Sequence, residues 1–119
     1  MFSVLNIAAS GLSAASARLA VTAGNIANAD STGYQARRVT LSPAPPTSPA
    51  SPAAGVRVDT VTLDSYPGGI DAEGDPTSNV DLARESVDLI RERHQYTANA
   101  KLLKAGDEML GTLLDVLAK

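Results

Sequence analysis

The chain has 119 residues, a formal net charge of −3 and no cysteine. That length bounds it to one domain with a modest core, and with no thiols it has neither disulfides nor thiolate zinc sites. The acidic balance gives no general pull towards nucleic acid or anionic lipid, and aromatic residues at 3% leave few large core anchors.

The first predicted element is a helix from the N-terminus to about Asn28. Its opening, "MFSVLNIAASGLSAASARLA", has no basic region ahead of the apolar residues, which are interrupted by Ser, Asn and Gly. It therefore reads as neither a secretory signal nor a membrane span. Phe2, Leu5, Ala9, Leu12, Ser16, Leu19, Ala23 and Ile26 follow one another in steps of three and four, the stripe by which a helix buries a seam. Ser3 is placed to cap the start, and Asn28 suits the C-terminal end. Arg18 is the only charged side chain before Asp30. Too polar for lipid and too uncharged for water, the helix calls for burial against several others, which a chain this short would draw from other subunits. A sparsely charged helix in an ordinary monomer is the plain alternative.

The stretch "GNIANADSTGYQ", residues 24–35, then redirects the chain. Asn25 and Asn28 can satisfy backbone groups left open at the helix end, Gly33 supplies a turn, and Tyr34 can cover apolar surface with its hydroxyl in water. The glycines lack phosphate-loop spacing, and Arg37-Arg38 is too short for a nucleic-acid patch. Residues 42–54, "SPAPPTSPASPAA", read as an extended, polyproline-like or mobile linker. "GVRVDTVTLDSY" alternates apolar and polar residues, predicting one or two short strands, and "PGG" marks a turn. "DAEGDPTSNVDL" is spaced like a calcium loop, but Pro76 stands where Gly is required and Leu82 where a bidentate Glu belongs. It reads as a solvated acidic turn.

A second helix is predicted from about Val80 to the end, capped by Asp81 with acidic Glu85 in its early turns. Leu82, Leu89, Tyr96, Leu103, Leu110 and Leu117 recur every seven residues, with Leu102, Met109 and Val116 as a second stripe. At 1.5 Å per residue the helices span roughly 38 Å and roughly 57 Å, so the first cannot cover the second. His94, in "RERHQ", reads as a solvated surface residue, since no base–nucleophile pair accompanies it. Gly106 inside the helix costs about 1 kcal/mol relative to Ala.

Two runs carry a resemblance. "SGLSAASARLAVTAGNIANADSTGY", residues 10–34, resembles the N-terminal signature of the bacterial flagellar rod and hook family: a Ser-Gly-aliphatic start, an Asn-aliphatic-Ala-Asn segment, then a Thr-x-Gly-aromatic turn, altered slightly here in that Gly33 directly follows Thr32. "NVDLARESVDLIRERHQYTANAKLLKAGDEMLGTLLDVL" is similar to the family's closing helix, above all in "YTANAK" and "DEMLGTLL". The sequence departs where relatives often carry Gln-Arg-Ala-Tyr and this chain has Arg93, His94, Gln95 and Tyr96, and in its Pro/Ala/Ser middle segment. In length the chain is most like the short proximal rod proteins.

The resemblance implies a structural subunit of the basal-body rod, exported through the flagellar type III apparatus without a cleavable secretory signal and assembled in the periplasm with like and unlike rod subunits. The expected fold is mainly α: residues 1–29 and 80–119 pair as an antiparallel coiled coil forming one axial domain, and 30–79 hold the turn, linker and strands. Phe2, Leu5, Leu12, Leu19 and Ile26 are expected to line an assembly seam with Leu89, Tyr96, Leu103, Leu110 and Leu117. Asn25, Ile26, Ala27, Asn28, Thr32, Gly33 and Tyr34 form the expected turn motif. No catalytic residue, cofactor, metal, nucleic acid or small-molecule substrate is expected. The rival reading is an exported regulatory or adaptor module binding one partner through the same stripe.

Overall fold

A computed structural model describes residues 2–45 and 55–118. Helix α1 (Phe2–Ala27) leads through a turn to strand β1 (Arg37–Pro43). Strand β2 (Val56–Leu63) returns beside it, and helix α2 (Leu82–Leu117) closes the chain. The molecule is elongated, 76 × 27 × 14 Å. It is mainly helical, with one small antiparallel sheet.

The two helices run antiparallel. Leu5 lies on Gly106, Gly11 faces Asn99, Thr22 bonds to Glu92 and Asn25 to Glu85, so position along one helix rises as it falls along the other. The face of α2 turned inward is therefore the column Glu85, Glu92, Asn99 and Gly106. It has the seven-residue period, but stands three residues ahead of the leucines. Leu103 and Leu110 flank the contact half-buried, while Leu89, Tyr96 and Leu117 are exposed. On α1 the buried residues are Ala8, Ala14, Ala15, Thr22 and Asn25, with Leu5, Leu12, Leu19 and Ile26 half-buried beside them.

Small side chains make this approach possible. A Cβ built on Gly106 would stand 2.6 Å from Leu5 Cδ2. The glycine's cost in helix propensity thus opens the hole that Leu5 fills.

The hairpin covers a second flank of α1. Val56 N–H donates to Ser10 Oγ at 3.1 Å, and Ser10 Oγ–H donates to the Ile7 carbonyl at 2.7 Å. Ala36 is fully buried where the chain enters β1. β1 and β2 pair from Arg37↔Leu63 to Pro43↔Val56, with a bulge that leaves Asp59 without a cross-strand partner. Part of the cover expected from other subunits is therefore intramolecular. The remaining face of α1 (Asn6, Ala9, Ser13, Ser16, Ala20, Ala23) is exposed and carries no charge.

Several expectations are corrected. Residues 37–43 form a strand, so β structure reaches Ser42 and Pro43, where the linker was to begin. Residues 46–54 of that linker lie outside the described residues. Ser3 falls inside α1 and is not its cap. Ser3–Ala27 is long and apolar enough, by length and composition alone, to cross a membrane. Here it lies on α2 and the hairpin, and its Thr22 and Asn25 bond groups that lipid would leave unsatisfied. Asp81 does cap α2, accepting from the Ala83 and Arg84 N–H groups.

The Leu5–Gly106 fit predicts a reversal of sign. Leu5→Ala destabilises the natural chain, but is neutral or stabilising when Gly106→Leu already fills the hole, a coupling of about 0.5–3 kcal/mol. Denaturant midpoints of the four proteins measure it. Additive effects would show that the two residues do not pack on each other.

Candidate functional site

Where the first helix ends, four parts of the chain meet on polar side chains. Asn25 and Glu85 are the largest fully buried side chains among the described residues. Asn25 Nδ2 donates to the Arg37 carbonyl at 2.9 Å and to Glu85 Oε2 at 3.1 Å. Its Oδ1 accepts from Arg37 N–H at 2.8 Å and Tyr34 O–H at 3.2 Å. Those four bonds exhaust a carboxamide, which has two donors and two acceptor lone pairs. The amide acts towards β1 as a neighbouring strand would, taking both the N–H and the carbonyl of one residue.

Glu85 is held from its other side by Arg38. Arg38 Nη1 donates to Glu85 Oε1, and Arg38 Nε lies 3.5 Å from Asp64 Oδ2 at the end of β2. Burial works against the Arg38 charge, but the bond to Glu85 and the fields of Glu85 and Asp64 more than offset it, so the guanidinium pKa lies above its ordinary value.

A second amide completes the joint. Asn79 Oδ1 accepts from Ala36 N–H at 2.6 Å, and its Nδ2 donates to the carbonyls of Asp64 and Tyr66. Asn79 thereby ties the entry of β1 to the exit of β2, immediately before α2.

The residues of the expected turn motif divide by role. Asn28 Nδ2 donates to the Gly24 carbonyl at 2.9 Å and closes the helix end. Gly33 has φ +66°, the left-handed region that favours glycine, and its N–H donates to the Pro76 carbonyl at 2.7 Å. Ile26 is half-buried, while Ala27 and Thr32 face solvent. Two readings are revised. Asn25 reaches across the chain rather than capping its own helix, and the Tyr34 hydroxyl bonds Asn25 instead of water alone. Asp71 Oδ1 accepts from the Glu73 and Asp75 N–H groups, so the acidic turn is closed by its own first carboxylate. His94 is exposed.

Sequence reasoning missed Glu92 and Asn79, and gave Glu85 only a place in the early turns of α2 and Arg38 only a place in a short basic pair. A signal existed for the two glutamates, since Glu85, Glu92, Asn99 and Gly106 also recur every seven residues. Glu92 is 6% exposed. Its Oε1 accepts from Thr22 Oγ1–H at 3.1 Å, and Oε2 has no hydrogen-bond partner among the described residues. Burial, then the nearby Asp88 and Glu85 charges, push its pKa above the ordinary 4.5, against the Thr22 bond and Arg18. Glu92 lines an open groove of about 650 Å³, floored by α1 and walled by β1 and the first half of α2.

Comparison with known proteins accounts for both ends of the chain. Residues 5–35 match the family model described as "Flagella basal body rod protein", and residues 77–116 match "Flagellar basal body rod FlgEFG protein C-terminal". The flagellar basal-body rod protein FlgC of Yersinia enterocolitica is 33% identical over 126 aligned positions, which cover 92% of this chain and 92% of that protein.

Two predictions test the joint. Asn25→Ala strands the Arg37 backbone and removes a donor from buried Glu85, for a cost of about 2–4 kcal/mol. Asn25→Asp keeps the shape but sets a second carboxylate beside Glu85, and should cost at least as much near neutral pH. Unfolding curves and amide exchange at Arg37 measure both; unchanged Arg37 protection would remove Asn25 from its role.

For Glu92 the sign follows from its raised pKa. Between 4.5, its value when unfolded, and the raised folded value, the folded chain binds more protons, so stability falls as pH rises through that window. Glu92→Gln should raise the melting temperature near neutral pH, with a gain that shrinks below that window. A gain independent of pH would mean that charge burial is not its origin.

Proposed function

The chain belongs to the flagellar basal-body rod family, and we propose that this structural subunit assembles through two surfaces its own fold leaves uncovered. The observation that carries the reading is the overhang of α2. Leu5 of α1 sits at Gly106, so the last two to three turns of α2 extend past the start of the shorter helix. There Leu113, Leu114, Val116 and Leu117 are 48, 65, 67 and 74% exposed. Together with the exposed Leu82, Leu89, Tyr96, Leu102 and Met109, they form apolar surface along most of one long helix. Such extent marks an interaction surface rather than scattered solvent-facing residues.

The second surface is the uncharged face of α1. Its Ala and Ser residues let another backbone approach closely, as they already do on the flank against α2. On this reading the antiparallel pair winds as a coiled coil continued by helices of neighbouring subunits, with Leu89, Tyr96 and Leu117 facing outward into the seam and Leu5, Leu12, Leu19, Ile26, Leu103 and Leu110 bridging inner and outer contacts. Residues 2–27 and 82–117 then form one axial unit, with the hairpin as an appendage. Contacts between unlike patches propagate into a tube, whereas an adaptor would stop at a small closed complex. Export through the flagellar type III apparatus, a periplasmic location and partnership with other rod subunits rest on family membership.

Substitutions at the overhang separate assembly from folding. Leu117→Asp changes a residue with no cover in the isolated chain, so monomer stability should move by less than about 0.5 kcal/mol. Its amount in purified basal bodies should nevertheless drop at least tenfold, with export unchanged. Lys104→Asp, on an exposed part of the same helix, should be incorporated normally. Equal incorporation of both variants would remove the overhang from the interface.

A further inference from the structure

The groove beside Glu92 is not absorbed by the packing of the helical stripes. Arg18, Arg37, Arg38, Arg84 and Arg91 line it, against Asp81, Asp88 and Glu92, leaving only Arg57 and Arg93 elsewhere in a chain of net charge −3. Arg38 is engaged by Glu85 and Asp64, Arg84 lies 4.0 Å from Asp64, and Arg91 lies 3.4 Å from Asp88. Arg18 and Arg37 make no ion pair among the described residues. Arg18 is also the single charge of α1, set on a helix otherwise without any. Beside it Glu92 is more than nine-tenths buried, its Oε2 closed off beneath the groove surface. Val21, Val39 and Val87 supply apolar wall. The groove thus asks for carboxylates and an aliphatic anchor.

The same chain presents that set elsewhere. In the loop of residues 65–76, Tyr66 and Ile70 are 75 and 76% exposed, and Asp71, Glu73 and Asp75 are exposed beside them. The loop is held by its own backbone: Asp71 N–H donates to the Asp75 carbonyl at 3.0 Å and Thr77 N–H to the Gly69 carbonyl at 2.8 Å. A preformed loop loses little conformational entropy on docking. We infer that the arginine-lined groove receives the 65–76 loop of a second copy of the chain. Glu73 and Asp75 meet Arg18 and Arg37, and Ile70 enters between the valines. Knob and groove are different surfaces, so the contact is head-to-tail and repeats from copy to copy.

The inference rests on the reading that copies of this chain touch in the rod. The chain has no cysteine, so introduced thiols report directly. Purified full-length Val87→Cys and Ala72→Cys chains are mixed at high concentration and oxidised; a disulfide needs Cα atoms within about 7 Å. The expected result is a linked heterodimer at least tenfold above that from Val87→Cys mixed with Lys101→Cys. Adding Arg18→Glu and Arg37→Glu to the groove chain should abolish the excess, and Glu73→Lys with Asp75→Lys on the loop chain should restore it. Equal yields from the Ala72 and Lys101 partners, or yields indifferent to both charge reversals, would overturn the inference. Incorporation of the cysteine chains into basal bodies, counted separately, tests the rod reading itself and can succeed while the groove contact fails.

Discussion

The carboxylate of Glu85 is the constraint around which this chain is arranged. It is fully buried, and an isolated ionised carboxylate in that place would cost many kcal/mol. Asn25 from α1 and Arg38 from β1 make the burial tolerable, and each is held in turn: Asn25 by the Arg37 backbone and Tyr34, Arg38 by Asp64 of the β2 exit. A shift of either helix by one residue would break several of these bonds at once. The joint therefore sets register more than it adds stability, since a buried ion pair roughly breaks even against apolar packing of the same shape.

That division of labour explains what could be read in the sequence. Two terminal helices, their antiparallel order, the Asp81 cap and the seven-residue period were legible, because each leaves a strong local mark. The phase of the period was not. Leucines are ordinarily turned inward, yet here Glu85 and Glu92 face α1 where it offers Asn25 and Thr22, Asn99 lies against Gly11, and Gly106 leaves room for Leu5. Local reading also assigned Glu85 to the helix dipole and Asn25 to a helix end. Neither assignment is unreasonable for those residue types. Their true partners lie 60 and 12 residues away, a separation no window of local pattern can span. β1 was hidden by the Pro-rich run into which it leads, although Val39, Thr40 and Leu41 are good strand formers.

The molecule thus keeps polar recognition inside and much of its apolar surface outside, an inversion of an ordinary small domain. The inversion suits a subunit whose function is to be covered by others. Hydrogen bonds with fixed geometry define one conformation of the monomer and leave the non-directional apolar stripe exposed; on the proposed assembly neighbours cover it, in a register set by charge and shape. On the assembly proposed above, the exposed, uncharged face of α1 and the arginines beside the hairpin would serve that second task.

The buried apolar residues among those described are four alanines, Ala8, Ala14, Ala15 and Ala36. Apolar area dominates the heat capacity of unfolding, so folding of the single chain carries a small heat-capacity change and a stability that is flat in temperature. Where the leucine and valine surface of α2 is covered by neighbours, the large heat-capacity term moves from folding to assembly. Warming from the cold then strengthens the contacts between subunits, as apolar association does, while leaving the fold of each nearly as it was. The thermal response of such a structure resides in its joints.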